Sequence, residues 1–164
     1  MATRFSREAF GNGEAEAGRT EQELAMGRHV RVIGETDYVF DGRISGVDQV
    51  IPISGAIPSR DWVSGMLLVR LHTTANMSTS ATLTVEGQSV LPSPDEPQTL
   101  FKSSTAVGSV SFTSSDTAGT FKQATLSGIG AFVRVVLKWA QGGTAGGANG
   151  QSVSISVELV GRSA

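Results

Sequence analysis

Cysteine is absent from the 164 residues, so disulfide frameworks, thiolate zinc sites and cysteine nucleophiles are all excluded. Charge is scarce as well: charged residues make up 17% of the chain, against about a quarter in ordinary soluble domains. The net charge of −2 argues against the basic surface on which nucleic-acid binding depends. Apolar runs stop far short of the ~20 residues that a bilayer span needs, and no signal-peptide pattern opens the chain, so no membrane association is expected.

Chemistry-bearing patterns are missing too. The two histidines, His29 and His72, stand in no ligand spacing, so no metal is expected. Ile53-Ser54-Gly55 lacks the glycine two residues before the serine that a nucleophile elbow requires. The glycine-rich tract Gln141–Gly150 has no lysine at the phosphate-cradle position and reads as a flexible strand connection. Asp95 and Glu96 are adjacent, so their side chains diverge in an extended segment and cannot flank a sugar together. Asp37 and Asp41 have loop character without the tight run of oxygen ligands that calcium needs. The expectation is a non-enzyme with no catalytic, cofactor-binding or metal-binding residues.

What the chain does hold is small and hydroxylated: 20 Gly, 20 Ser and 15 Thr. From about Tyr38 the hydrophobic period is two. Leu67, Val69 and Leu71 share one face of an apolar run, and Leu83 and Val85 alternate with Thr82, Thr84 and Glu86. Val110 and Phe112 follow, then Val133, Val135, Leu137 and Trp139. Ile155 and Val157 alternate with serines in the cleanest such pattern. Turn signals separate these segments, and no helical period lies between them, which rules out βαβ alternation. The pattern predicts an all-β fold: an antiparallel β-sandwich of about eight strands, jelly-roll-like, over residues 38–164.

Residues 1–37 differ in character. The first 50 residues hold six basic and nine acidic side chains, and the remaining 114 hold only seven and six. This shift predicts an extended N-terminal arm, broken by Gly11, Gly13 and Gly18, with capacity for a short helix over Thr20–Arg28 capped by Thr20 and Glu23. Phe5 and Phe10 are its isolated apolar residues and the expected anchors on a partner. Trp62 is the third candidate contact residue. Arg70, Arg134, Lys138 and Arg162 fall on or just after strands, but four cations on a net negative chain make a poor nucleic-acid surface. Uncharged Ser/Thr faces without lysine or glutamate guards suit close packing against other chains.

Trp62 opening Met66–His72, the loop Pro92-Ser93-Pro94-Asp95-Glu96-Pro97, the strand Phe132–Leu137 and the closing Val157–Arg162 form a series. Over residues 48–162 this series resembles small β-rich structural proteins encoded among the head and tail genes of tailed bacteriophages. The resemblance implies a non-enzymatic virion protein, of the capsid decoration or auxiliary head type. It would bind copies of itself, as a trimer, and the major capsid or another virion protein. The competing expectation is a carbohydrate-binding, lectin-like sandwich that uses exposed aromatics and loop acids, with Trp62 and Asp61 as its best residues.

Overall fold

A computed structural model describes residues 28–41, 48–92, 101–141 and 150–163. In chain order the strands are β1 (Arg28–Phe40), β2 (Gln49–Pro52), β3 (Ile57–Pro58), β4 (Trp62–Ala75) and β5 (Ala81–Pro92). They continue with β6 (Phe101–Thr113), β7 (Phe121–Leu126), β8 (Phe132–Gln141) and β9 (Gln151–Ser163). No helix occurs among the described residues. All pairings are antiparallel and form two sheets, β1-β9-β4-β7 and β2-β8-β5-β6, with β3 also on β8. The fold is an antiparallel β-sandwich.

The period-2 pattern explains the two layers. Val133, Val135, Leu137 and Trp139 on β8 point between the sheets and meet Leu67, Val69 and Leu71 of β4 and Ile155, Val157 and Leu159 of β9, all fully buried. Each such side chain contributes about 1.5–3 kcal/mol of transfer free energy. Every residue expected in the core from alternation alone is there: Leu67, Val69, Leu71, Leu83, Val85, Val110, Phe112, Val133, Val135, Leu137, Ile155 and Val157. Phe40 joins them by stacking on Trp139, with ring centroids 4.5 Å apart and planes 7° from parallel. The Trp139 Nε1 is buried without a hydrogen-bond partner, a cost that the stack and the surrounding apolar contacts outweigh.

One boundary differs from the sequence expectation. Among the described residues the sandwich already includes Arg28, and residues 28–37 are strand and not arm, because β1 runs along β9 from Arg28↔Gly161 to Phe40↔Gln151. The charged residues of this stretch hide the signal: Val30, Ile33 and Tyr38 do pack on the core, but the ladder is irregular on both sides of Ile33, which breaks the alternation. The suggested helix over Thr20–Arg28 lies outside the described residues, except that Arg28 is the first residue of β1.

Interrupted strands carry their own repairs. Pro52 ends β2, and the chain stays attached to β8 through Ser54, whose Oγ accepts from the Val135 amide at 2.8 Å while the Ile53 and Ser54 amides donate to the Val135 carbonyl. At the opposite edge, Gly108 of β6 runs so close to β7 that a Cβ there would lie 2.6 Å from the Thr125 carbonyl oxygen. Near the end of β9, Gly161 lies under the Trp62 indole, and an added Cβ would overlap the ring.

Two substitutions test this packing. Val135→Asp places an unpaired carboxylate in the core, and a loss of about 3–5 kcal/mol or more is expected, enough to remove the cooperative melting transition in circular dichroism. Gly161→Ala should destabilise by about 1–3 kcal/mol, because the added Cβ overlaps the Trp62 indole and forces the ring or the strand to shift; a denaturant midpoint equal to wild type would contradict the close Trp62–Gly161 approach.

Candidate interaction surfaces

The candidate contact residues are placed unevenly. Phe5 and Phe10 lie outside the described residues, as do Asp95 and Glu96. Trp62 is 7% exposed and belongs to the core cluster, so its ring offers no open face for a sugar or a partner to stack on. Asp61 beside it is exposed. Among the described residues the large apolar side chains left in solvent are Val39, Val50, Val63 and Phe121, on four separate strands.

The outer face of β1-β9-β4-β7 carries a chain of polar contacts. His29 Nε2 lies 2.9 Å from Glu158 Oε2, and Arg31 Nε lies 3.7 Å from Glu158 Oε1. His72 sits 2.9 Å from Ser156 Oγ through Nε2 and 3.8 Å from Glu35 through Nδ1. These groups are one to two strands apart on an open surface and bind one another weakly. No group of three or more His, Asp or Glu side chains suited to a metal occurs among the described residues.

The outer face of β2-β8-β5-β6 is organised around Glu86, which is buried to 8% exposure. Lys138 Nζ lies 2.9 Å from both carboxylate oxygens, and Gln88 Nε2 donates to Oε1 at 2.6 Å. Arg134 Nε donates in turn to Gln88 Oε1 at 2.9 Å. Thr84 and Ser111, opposite each other in the β5–β6 register, share a hydroxyl hydrogen bond of 3.0 Å. The four strand cations considered for nucleic acid are therefore split: Arg134 and Lys138 on this face, Arg70 and Arg162 on the other. These four cations do not form one stripe.

The glutamines that bracket the glycine-rich tract escaped the sequence reading. Gln151 is fully buried and Gln141 is 4% exposed. Gln151 Nε2 donates to Gln141 Oε1 at 3.0 Å, and its Oε1 accepts from the Ser78 amide at 2.9 Å. Gln141 Nε2 donates to Ser78 Oγ and Ser80 Oγ at 2.8 and 2.9 Å. This network ties the end of β8 and the start of β9 to the β4–β5 turn, where Asn76 takes a φ of 56°. The only cue was a glutamine at each end of a strand-to-strand connection. Gln49 acts likewise, exchanging two bonds with the Asp41 backbone at 2.9 and 3.2 Å.

Lys122 closes the β6–β7 side. Its Nζ donates to the Ser111 carbonyl at 2.7 Å and lies 2.9 Å from both Asp116 oxygens, over the Phe112 ring at 4.8 Å. Burial pushes the Asp116 carboxyl upward, but the Lys122 hydrogen bond, the Thr113 amide and the Lys122 charge outweigh it and hold the group below its ordinary value.

No protein-family model matches the chain, and no curated protein matches it.

A pH dependence follows from Asp116. Its folded value is depressed, so its contribution is present above the unfolded value near pH 4 and is lost as pH falls through the folded one. Lys122→Met should lower stability at pH 7 and reduce the further loss between about pH 5 and pH 2, read as urea midpoints. Equal acid slopes in the two proteins would mean that the pair does not hold this side closed.

Proposed function

We propose that this chain is a non-enzymatic structural protein of a tailed-phage virion, a capsid decoration or auxiliary head protein that works by docking. The observation that carries the reading is the strand order. With β2 and β3 counted as one strand interrupted at Ser54, we read β1-β9-β4-β7 facing β2-β8-β5-β6 as an eight-stranded jelly roll. That arrangement is used by capsid and lectin domains alike, so it supports the reading by analogy of fold. The placement of Trp62 supports the docking reading. A lectin stacks sugar on an exposed ring beside loop acids, and Trp62 is buried. Capsid docking needs no such ring, and a chain in which charged residues make up only 17% leaves little charge to desolvate on contact.

In this reading the partners are other copies of the chain and the major capsid protein beneath. Residues 1–27 hold three basic and five acidic side chains with Phe5 and Phe10 between them. Such a segment loses conformational entropy when it docks and needs a neighbour's contacts to offset that loss. Exchange of arms around a threefold axis would give the trimer that suits threefold lattice sites.

Deletion of residues 1–26 tests the proposal, since it removes no strand of the described sandwich. The truncated protein should melt within a few degrees of the intact chain and should no longer co-sediment with particles assembled without it. Attachment as tight as that of the full chain would make the arm passive and defeat this part of the reading.

A further inference from the structure

A sandwich has four edge strands, and here three are guarded. β2 is four residues long and ends in Pro52, and β3, on the same edge, ends in Pro58. β7 has six residues, and Lys122 carries it across to the Ser111 carbonyl of β6. β6 is held to the residue after β7 by Ser127 N donating to the Val107 carbonyl at 3.0 Å, beside the close Gly108–Thr125 approach.

β1 has none of these devices. It is 13 residues long, contains neither proline nor lysine, and pairs with β9 on one side only; among the described residues no strand occupies its other edge. Its inward residues Val30, Val32 and Ile33 stay partly exposed, as do Ile51, Ile53 and Ile57 on β2 and β3 and the turn between them. An unpaired edge beside half-covered apolar side chains is a template for another strand.

The charges on β1 say which strand. Arg31 and His29 contact Glu158, and Glu35 contacts His72, which bonds Ser156, so these side chains share the outer face. Asp37 joins them, because its neighbour Tyr38 packs inward. The bases occupy the first half of the strand and the acids the second. We propose that β1 is a self-recognition edge, at which two copies join antiparallel about a two-fold axis at Ile33. In that register Arg31 faces Glu35 of the second copy, His29 faces its Asp37, Val30 faces its Thr36, and the two Ile33 side chains meet. A slip of two residues either way leaves one acid of each copy opposite an uncharged residue, so the register centred on Ile33 satisfies the most charge. The irregularities in the β1–β9 ladder fall between Arg31 and Ile33 and between Ile33 and Thr36. A bulge at an ordinary edge turns a partner away; a pair of them flanking the axis bends both copies alike and leaves them matched.

This contact goes beyond the virion reading and is separate from the arm. An arm-exchanged trimer joined through β1 edges is a hexamer, and without the arm the unit is a dimer. The test is light scattering on the full-length chain as wild type, Arg31→Glu, Glu35→Arg and the double swap, with melting temperatures as the fold control. Either single reversal puts two like-charged pairs across the axis, so the assembly mass should halve, or its dissociation constant rise at least ~10-fold. The double swap should restore the wild-type mass even though the acid introduced at position 31 then faces Glu158 within its own chain, a repulsion that only the fold control would register. A wild-type monomer at every concentration overturns the proposal. So do single reversals that leave the mass unchanged and a double swap that fails to recover it. Attachment to particles is read separately and can succeed whichever way this test falls.

Discussion

The apolar stripe of β8 is the constraint on which the rest depends. Val133, Val135, Leu137 and Trp139 lie on the strand that pairs with β5 on one side and with β2 and β3 on the other, and they face β4 and β9 across the core. Because the side-chain period of a strand is two, a slip of one residue in β8 would turn all four to solvent and bring Arg134 and Lys138 inside. The register of the whole second sheet is thereby fixed. It also explains why β8 carries its polar groups in pairs with β5: Lys138 with Glu86, and Arg134 with Gln88. Those bonds become available once the apolar face has chosen its side.

Closure of the two flanks follows different physics. The β6–β7 side is tight, with glycine allowing backbone approach and Lys122 spanning the gap in a partly exposed ion pair. The β1–β2 side rests on Phe40 stacked against Trp139 and on the Gln49–Asp41 exchange. Beyond these points β1 extends along β9 with an edge that no described strand covers. The sandwich is asymmetric in that sense, with one finished side and one side that can accept a partner strand.

Much of this was legible in the sequence wherever the two-residue period ran unbroken. The stripes of β4, β5, β8 and β9 read directly as core because alternation and burial are the same fact in a half-buried strand. What was not legible involved residues whose role depends on a distant partner. Trp62 looked like a possible contact residue because nothing local reveals Gly161 beneath its ring. Gln141 falls in the tract that the sequence marks as a flexible connection and Gln151 carries no local signal, yet they bond each other and the Ser78 turn. β1 was read as arm up to residue 37 because its charges and its bulged ladder conceal the inward positions. For docking, the sequence offered only composition and the resemblance to phage structural proteins; it could not show which edge lacks a guard.

The central claim is that this sandwich functions by being docked, through its arm and its unguarded first strand, with no chemistry of its own. Amide hydrogen exchange followed along the chain, free and then bound to particles, tests it most directly. The account predicts new protection in residues 1–27 on binding, with β1 already protected in the free assembly by its partner strand and β6 and β7 unchanged because that side is already closed. Protection that appeared on the β2-β8-β5-β6 sheet instead, with the arm exchanging as it does in the free protein, would contradict it.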